Sequence, residues 1–538
     1  MPPHIAIIGT GPTGIYTFKH LVDAGGVGAI TLFEKGREAG VGMPYSPQTA
    51  DRTMLANIAS IEIPAIEMTY LDFLRSLPHE VLRDYGVDPV ALDDRAFTPR
   101  VLLGRFFRHQ FLKLVETAED RGILVSVSEN TEIIDVERDE GLFYLVAGEG
   151  QRFGPFERVV VATGHEFEPD DDLSDGYFPN PWSGLLSADI PAVRVGIMGT
   201  SLSSIDAAMA VVTQHGRFIR DEDVLRFELN EGSPLRITLM SRHGILPEAD
   251  FYCPIPYEDL RFLTPAALEE CAHSEHVLDD AFALFAQELG EADPGYASAI
   301  GLVDLTADSF ADAYFAQRLA ADPFRWAREN LAEVERNKQN RVTVAWRYAL
   351  LRMHEKVETL VPEFSEAEAE RFAQGLKRVF IDNYAAVPSE SIRRLLALRD
   401  AGVLEVVALG EDYQLDHGEH GTTIVTDSET LEFAVFIDAR GQKALETGHL
   451  KFPTLRKELL AVGQDVPQVA EDYSLLSPVK DHRRLYLAAI PYLMHERPFA
   501  QGIVVSDDIG ETIAKAIAQS AEAGLDSQKR RRPAYAAR

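Results

Sequence analysis

Apolar and polar positions along this chain follow an order that occurs twice. HIAIIG, His4 to Gly9, is a short β-branched run; GTGPTG follows, then a stretch of helical spacing from Ile15 to Ala24. AITLFE, ending at Glu34, has the composition of a second strand. Next come a glycine-rich turn, GREAGVGMPYS, an irregular region, NIASIEIPAIEM, and an aromatic-rich helical segment near residues 101–121. Alternation over residues 123–147 predicts strands or a hairpin, and RVVVATGH, Arg158 to His165, predicts a buried strand with a glycine exit. EPDDDLSDGYFPNPWSG has the make-up of a linker. The opening order then returns as RVGIMG, TSLSSIDAAMAVV and LRITLMSRHG, so a second strand–turn–helix–strand unit begins near Val193.

Residues 256–380 carry apolar positions at three and four spacing and few strand signals, which predicts helices. Strands resume after Gly402 with VLEVVALG, TTIVTD, EFAVFIDARG and RLYLAAIPYL. A last helix, GETIAKAIAQSAEAG, leads into QKRRRPAYAAR, a basic tail with no packing pattern that is expected to be disordered.

Composition narrows the class. A chain of 538 residues exceeds one ordinary core and predicts two or three domains. Apolar content of 46% with 25% charged residues is globular, not disordered. The net charge of −33 argues against nucleic acid or an anionic membrane as the main partner. No uncharged apolar run reaches the length of about eighteen residues that a membrane helix needs, and the run at His4 to Gly9 is too short for a signal peptide. Cys253 and Cys271 form no CxxC pair and suit packed thiols in a reducing cytosol, so a cytoplasmic protein without a redox-active dithiol is expected.

The strongest chemical signal is Gly9-Thr10-Gly11-Pro12-Thr13-Gly14 with Glu34 downstream. The first glycine permits the tight turn, the second lets backbone approach a pyrophosphate, and the third allows close helix–strand packing. The helix N-terminus then faces the phosphates. Glu34 lies twenty residues after Gly14 at the end of the second strand, where a carboxylate accepts from ribose hydroxyls. FAD at this turn, in preference to NAD, is argued by the continuation of the chain. Lys35, Gly36 and the turn with Gly42 lie where the isoalloxazine end of a long cofactor would run. Ala162-Thr163-Gly164-His165 gives a small exit next to a dinucleotide, and Gln501, Gly502 and Ile503 precede a helix whose amides suit the flavin pyrimidine ring.

The set GTGPTG, FEK, GVGMPYS, NIASIEIP, TPRVLLGRFF, VVVATGH, GTSLSSIDA and SRHGILP resembles the FAD/NAD(P)-binding flavoprotein family. That family includes uncharacterised bacterial proteins and the nitrosuccinate-forming aspartate N-monooxygenases. The resemblance runs from residue 4 to roughly 250 and again in the C-terminal third, and is least in the helical middle. It implies a two-dinucleotide flavoprotein of a family whose better-known members hydroxylate amino nitrogen with NAD(P)H and oxygen. By motif position it implies that Gly9, Gly11, Gly14, Glu34, Met43, Tyr45 and Arg100 line the FAD. Pro12, Thr13, Lys35, Gly42, Ile133, Thr163, Gly164, Gln501, Gly502 and Ile503 complete the expected FAD set.

The second turn, Gly199-Thr200-Ser201-Leu202-Ser203-Ser204, carries serines where the later glycines would be. Serine is small enough for helix–strand packing and hydrogen-bonds phosphate. The following strand ends in Ser241-Arg242-His243-Gly244, and an arginine with no acid there favours a 2′-phosphate. Gly199, Ser201, Ser204 and Arg242 are the candidate NADPH residues, with a vestigial second domain as the alternative. From Phe324 to Lys356 eight Lys/Arg face four Glu. Arg341 and Arg352, eleven residues apart, would share one face of a single helix and suit a carboxylate-bearing substrate; surface ion pairs are the plainer reading. His495 in YLMHERPFAQG is the candidate catalytic residue. No histidine has metal-ligand spacing, and neither GTSLS nor RHGIL is a nucleophile elbow.

The expected fold is α/β with two dinucleotide-binding, Rossmann-like domains. An FAD domain is assembled from 1–187 and 381–525 around an NAD(P)-type domain, 188–255, and a helical insertion, 256–380; the tail is 526–538. The expected activity is an FAD-dependent, NAD(P)H-using monooxygenase whose partners are oxygen and a small polar or carboxylate-bearing substrate. An oxidase or dehydrogenase that needs no NADPH, and a non-catalytic flavoprotein, are the rivals.

Overall fold

A computed structural model describes residues 2–165, 176–222, 224–418, 421–479 and 481–531, with residues 521–531 described as helix only. The chain divides into two units. The first comprises Met1–Arg52, Ile58–Glu166 and Gln442–Arg538, the second Thr53–Asn57 and Phe167–Gly441.

The first unit opens with β1 (His4–Ile8), α1 (Pro12–Ala24) and β2 (Ala29–Phe33). It continues with α2 (Tyr70–Ser76), α3 (His79–Asp84), α4 (Arg100–Asp120) and β3 (Leu124–Ser128). A meander of β4 (Ile133–Asp139), β5 (Leu142–Ala147) and β6 (Arg152–Phe156) precedes β7 (Arg158–Val161). β1 and β7 are buried almost throughout because both faces of a parallel sheet are covered, which is why they are runs of Ile and Val with no alternation.

The second unit repeats this plan. β8 (Tyr177–Phe178), β9 (Arg194–Met198) and α5 (Leu202–His215) lead to a hairpin of β10 (Gly216–Asp221) and β11 (Val224–Leu229), then β12 (Arg236–Ser241). Eight helices follow: α6 (Pro265–Ala272), α7 (Val277–Ala292), α8 (Pro294–Ala299), α9 (Phe310–Leu319), α10 (Pro323–Asn340), α11 (Ala345–Glu358), α12 (Glu366–Gln374) and α13 (Leu376–Tyr384). The unit closes with α14 (Ser389–Asp400), β13 (Leu404–Ala408), a second meander of β14 (Gln414–Gly418), β15 (Gly421–Val425) and β16 (Thr430–Phe433), and β17 (Val435–Asp438). The chain then re-enters the first unit with α15 (Pro453–Ala461), β18 (Leu485–Leu487), α16 (Ile490–Leu493) and α17 (Gly502–Arg531).

Each unit holds a five-stranded parallel sheet, ordered β18-β7-β1-β2-β3 in the first and β13-β12-β9-β17-β8 in the second. In both, the strand before the glycine turn lies between the strand after the helix and a strand from far along the chain. That is the switch point where doubly wound sheets bind ligands.

The unit boundaries differ from those expected. Residues 381–441 belong to the second unit, because β13 pairs with β12 and β17 with β9; the return to the first comes at Gln442, not near 381. The first crossing falls before residue 187, since β8 pairs with β17. Propensity identified these strands, but nothing local says which sheet a strand joins. The linker expected from Glu168 lies outside the described residues up to 175. Helix α17 continues to Arg531, into the expected tail; the rest of the tail lies outside the described residues.

Candidate functional site

In the first unit the turn after β1 is pinned at both ends. Gly9 N–H donates to Phe33 O at 2.9 Å, and Ala162 N–H, at the exit of β7, donates to Ile8 O at 2.8 Å. Helix α1 starts on Gly11 with Pro12 in its first turn, no side-chain cap and no acid there, so its leading amides are left to an anion. Gly14 faces the turn so closely that a Cβ on it would lie 2.1 Å from Gly9 O. Glu34 accepts from the Thr10 hydroxyl at 2.6 Å, Thr10 N–H at 3.2 Å and Gly36 N–H at 2.7 Å, which holds its carboxylate at the turn. The Thr10 hydroxyl also accepts from Gly40 N–H at 3.0 Å. Arg108 donates to Ala39 O and Glu129, so the loop leading to Gly42 is braced. Burial pushes the Tyr45 phenol above its ordinary value, with the Arg100 guanidinium pulling against it.

Helix α17 lies along α1. Gly510 is against the α1 backbone, where a Cβ would come 2.6 Å from Thr17 N, and Ser506 Oγ and Thr13 Oγ1 are 3.0 Å apart. His20 Nε2 and Asp507 Oδ1, 2.7 Å apart, add a second tie. The helix begins at Gly502 itself, so the chain near Gln501–Ile503 is a helix N-terminus one turn before the Thr13–Ser506 contact. Thr163 Oγ1, at the exit of β7, is buried with no hydrogen-bond partner among the described residues. An uncapped helix start, a carboxylate at the turn and this orphaned hydroxyl suit the pyrophosphate, ribose and polar edge of a dinucleotide. Of the other expected FAD residues, Lys35 is exposed, and Ile133 opens β4 within the core. Ser506, Asp507 and Gly510 were not singled out in sequence; their only local signal is small and polar residues recurring at helical spacing with Ile503, Ile509, Ile513 and Ile517.

The second unit builds the same turn. Gly199 N–H donates to Met240 O at 2.6 Å and Ala439 N–H to Met198 O at 2.9 Å. Gly199 is therefore placed as Gly9, Ala439 as Ala162, and Ser241 stands where Glu34 stands in the first unit. The Thr200 hydroxyl lies 3.3 Å from Ser241 Oγ, as Thr10 bonds Glu34. Helix α5 starts on the exposed Ser201 with no side-chain cap and no acid in its first turn. Ser204 is buried beneath Gly199, so this turn leaves room for the serine that replaces a third glycine. Arg242 is exposed and pairs with Glu411 at 3.1 Å, a surface pair worth at most about 1 kcal/mol. An acid absent from the strand itself is thus supplied from after β13.

Arg341 and Arg352 do not share a helix. Helix α10 ends at Asn340, Arg341 caps it in the left-handed region at φ 53°, and α11 starts at Ala345. The expectation failed because helical spacing carries across a short turn unseen. Arg341 is exposed; Arg352 donates to the Glu258 and Asp259 carbonyls and lies over the Tyr348 ring. Other bases of that stretch form ion pairs, Arg328 with Asp400 and Lys338 with Asp250. The buried base is Arg347, which pairs with Glu248 at 3.0 Å. Glu248 also accepts from Trp326 Nε1. Arg318, also buried, pairs with Asp382 and donates to Leu246 O. Burial alone would raise the Glu248 carboxyl, but Arg347, Arg318 and Trp326 outweigh it and hold it below the ordinary value. His495 is exposed in the turn after α16. Cys253 and Cys271 are both buried. Among the described residues no cluster of His, Cys, Asp or Glu is arranged to hold a metal, and no helix is long and apolar enough to cross a membrane.

Uncharacterized protein YdhS of Escherichia coli (strain K12) is 48% identical over 535 residues, which cover 99% of each chain. The chain belongs to the YdhS family. Within it, residues 6–166 match the FAD-NAD(P)-binding family model and residues 264–384 match the YdhS-like middle domain. The first unit's turn, Glu34 and β7 exit thus lie in an FAD-NAD(P)-binding domain, and α6 to α13 make up the middle domain. Solved structures similar to the chain include the ornithine N-hydroxylase of Kutzneria sp. 744, with TM-score 0.49 and 14% identity over 97% of this chain and 100% of that one. Ornithine hydroxylase PvdA of Pseudomonas aeruginosa, in reduced form, has TM-score 0.49 and 12% identity over 96% and 99%. A steroid monooxygenase bound to NADP has TM-score 0.43 and 14% identity over 97% and 85%.

Proposed function

We propose that this chain is an FAD-dependent oxidoreductase reduced by NADPH, and a monooxygenase acting on the amino nitrogen of a small polar or carboxylate-bearing substrate. The observation that carries the two-nucleotide part is the pair of matched turns, alike in their hydrogen bonds and unlike at one position. Glu34 in the first suits a ribose diol; Ser241, followed by Arg242 and His243, suits a ribose that carries a phosphate. Bound FAD supplies the capacity to accept hydride from a nicotinamide and to react with oxygen. The chain's part is to hold and orient. The α1 amides would hold the pyrophosphate, Glu34 the adenosine ribose, and Thr163 and the start of α17 the ring end. Two buried cysteines without CxxC spacing offer no dithiol to receive electrons, which favours oxygen or a small molecule over a disulfide as acceptor. The choice of amino nitrogen rests on the family resemblance of the motifs.

The rival, an oxidase or dehydrogenase that takes electrons from its substrate alone, is favoured by the buried Ser204 and by the Glu411 partner of Arg242. Anaerobic rapid mixing of the yellow protein with NADPH, and separately with NADH, decides between them. Fast loss of flavin absorbance that prefers NADPH, and is slowed at least about tenfold in Arg242→Ala, is the expected result. Flavin that neither nucleotide bleaches would overturn NADPH use and favour the oxidase.

A further inference from the structure

The exit of β12 carries more than Arg242. Helix α13, from the middle domain, brings Arg378 to the same rim, where its guanidinium donates to His243 Nε2 at 2.7 Å. A guanidinium has no acceptor, so Nε2 accepts and the proton of the neutral ring sits on Nδ1. The charged groups around the imidazole are Arg378 from α13, Arg242 beside it, Glu411 from after β13 and Asp312 from α9. Two guanidiniums and two carboxylates cancel, so the protonation of the ring sets the sign of the cluster. Burial first, then Arg378 and Arg242, hold the imidazole below its ordinary pKa against the pull of Glu411 and Asp312. The ring is therefore neutral near neutrality in the free protein.

Resting on the reading that the second turn takes NADPH, we infer that Arg378 and His243 join Arg242 as the seat of the 2′-phosphate, and that seating it places a proton on His243. The proton comes from solvent and goes to Nε2. Once protonated, Nε2 no longer accepts from Arg378, and both the guanidinium and the new N–H are released as donors to the phosphate oxygens. Nucleotide choice in this chain is thus shared with the middle domain and linked to pH. A dianion beside the ring raises its pKa in the complex. Preference for the phosphorylated nucleotide is then full below the lowered free value, falls as pH rises from there, and is lost above the raised bound value. Proton uptake occurs between the lowered free value and the raised bound one. The phosphate's own second ionisation, near about 6, acts in the opposite sense.

The test is titration calorimetry of the full-length protein, with its flavin, against NADP+ and NAD+ across pH about 6.5 to 9, in buffers of different ionisation enthalpy. Wild type should take up a proton with NADP+ and not with NAD+. His243→Asn should abolish the uptake. Arg378→Gln and His243→Asn should each cut the NADP+ over NAD+ preference about tenfold or more, with NAD+ affinity, flavin content and thermal midpoint retained as proof of an intact unit. Preferred NADP+ binding that ignores both substitutions overturns this inference and leaves the NADPH reading standing. Equal losses for both nucleotides also overturn it. Binding of neither nucleotide to wild type overturns the inference and the NADPH reading together.

Discussion

At Gly14 a distance decides the residue type. The backbone oxygen of Gly9 occupies the space a Cβ would need, and backbone in a pinned turn has nowhere to retreat. Ser204, at the matching position of the second turn, already carries a larger side chain. Gly14→Ala is therefore expected to destabilise the first turn by about 1–3 kcal/mol and to yield protein depleted of flavin. Ser204→Ala should be tolerated. The ratio of visible flavin to protein absorbance after gel filtration checks both, and a fully yellow Gly14→Ala protein would show that the turn can open. The glycines and Glu34 were legible as a motif because this turn's demands are local. Ser241 was legible too, as a strand end without an acid; that Glu411 supplies one beside Arg242 was not, because that pair joins segments far apart in the chain.

Among the elements, α17 shows what sequence spacing leaves out. Its apolar positions predict a helix with one buried face, yet not that the face meets α1, almost the whole chain away. The meeting is tight at Gly510, where the α1 backbone lies against the helix. Gly510→Val is expected to push the helices apart, cost about 1–3 kcal/mol through overpacking, and weaken FAD retention because the start of α17 moves with the helix. Thermal unfolding with and without added FAD reads both effects. A variant with unchanged midpoint and flavin content would mean that the contact is dispensable. The pairing of α10 and α11 makes the same point in reverse: one charge-rich stretch becomes two helices once Arg341 turns the chain.

At the scale of the second unit, the middle domain is tied to the strand exit it follows by ionic groups taken out of water. Arg347 and Arg318 both act on Glu248, and the chain beside Glu248 pairs with Val387 just after α13. Arg347→Met leaves that carboxylate buried with a weaker set of partners, and about 3–5 kcal/mol of stability should be lost. Because Glu248 is held below its ordinary pKa in the folded state, its contribution is present above the unfolded carboxylate value and lost as pH falls through the lowered one. Urea unfolding at neutral pH and at about pH 4 should therefore show a smaller gap between wild type and variant in acid. A gap that does not narrow would assign the loss to packing over Phe251 instead of charge.

By itself the sequence determined the two strand–turn–helix–strand units, the acid that marks the first as a dinucleotide turn, and the helical character of the middle. All of these rest on patterns within one strand–turn–helix–strand unit or one helical stretch: apolar runs, glycine spacing and helical periodicity. Tertiary structure alone decided which sheet the strands after residue 402 join, that α17 lies along α1, and that Arg378 and Glu411 gather at the exit of β12. These depend on parallel pairings and side-chain contacts between segments more than a hundred residues apart, and such pairings leave no period in the chain to read.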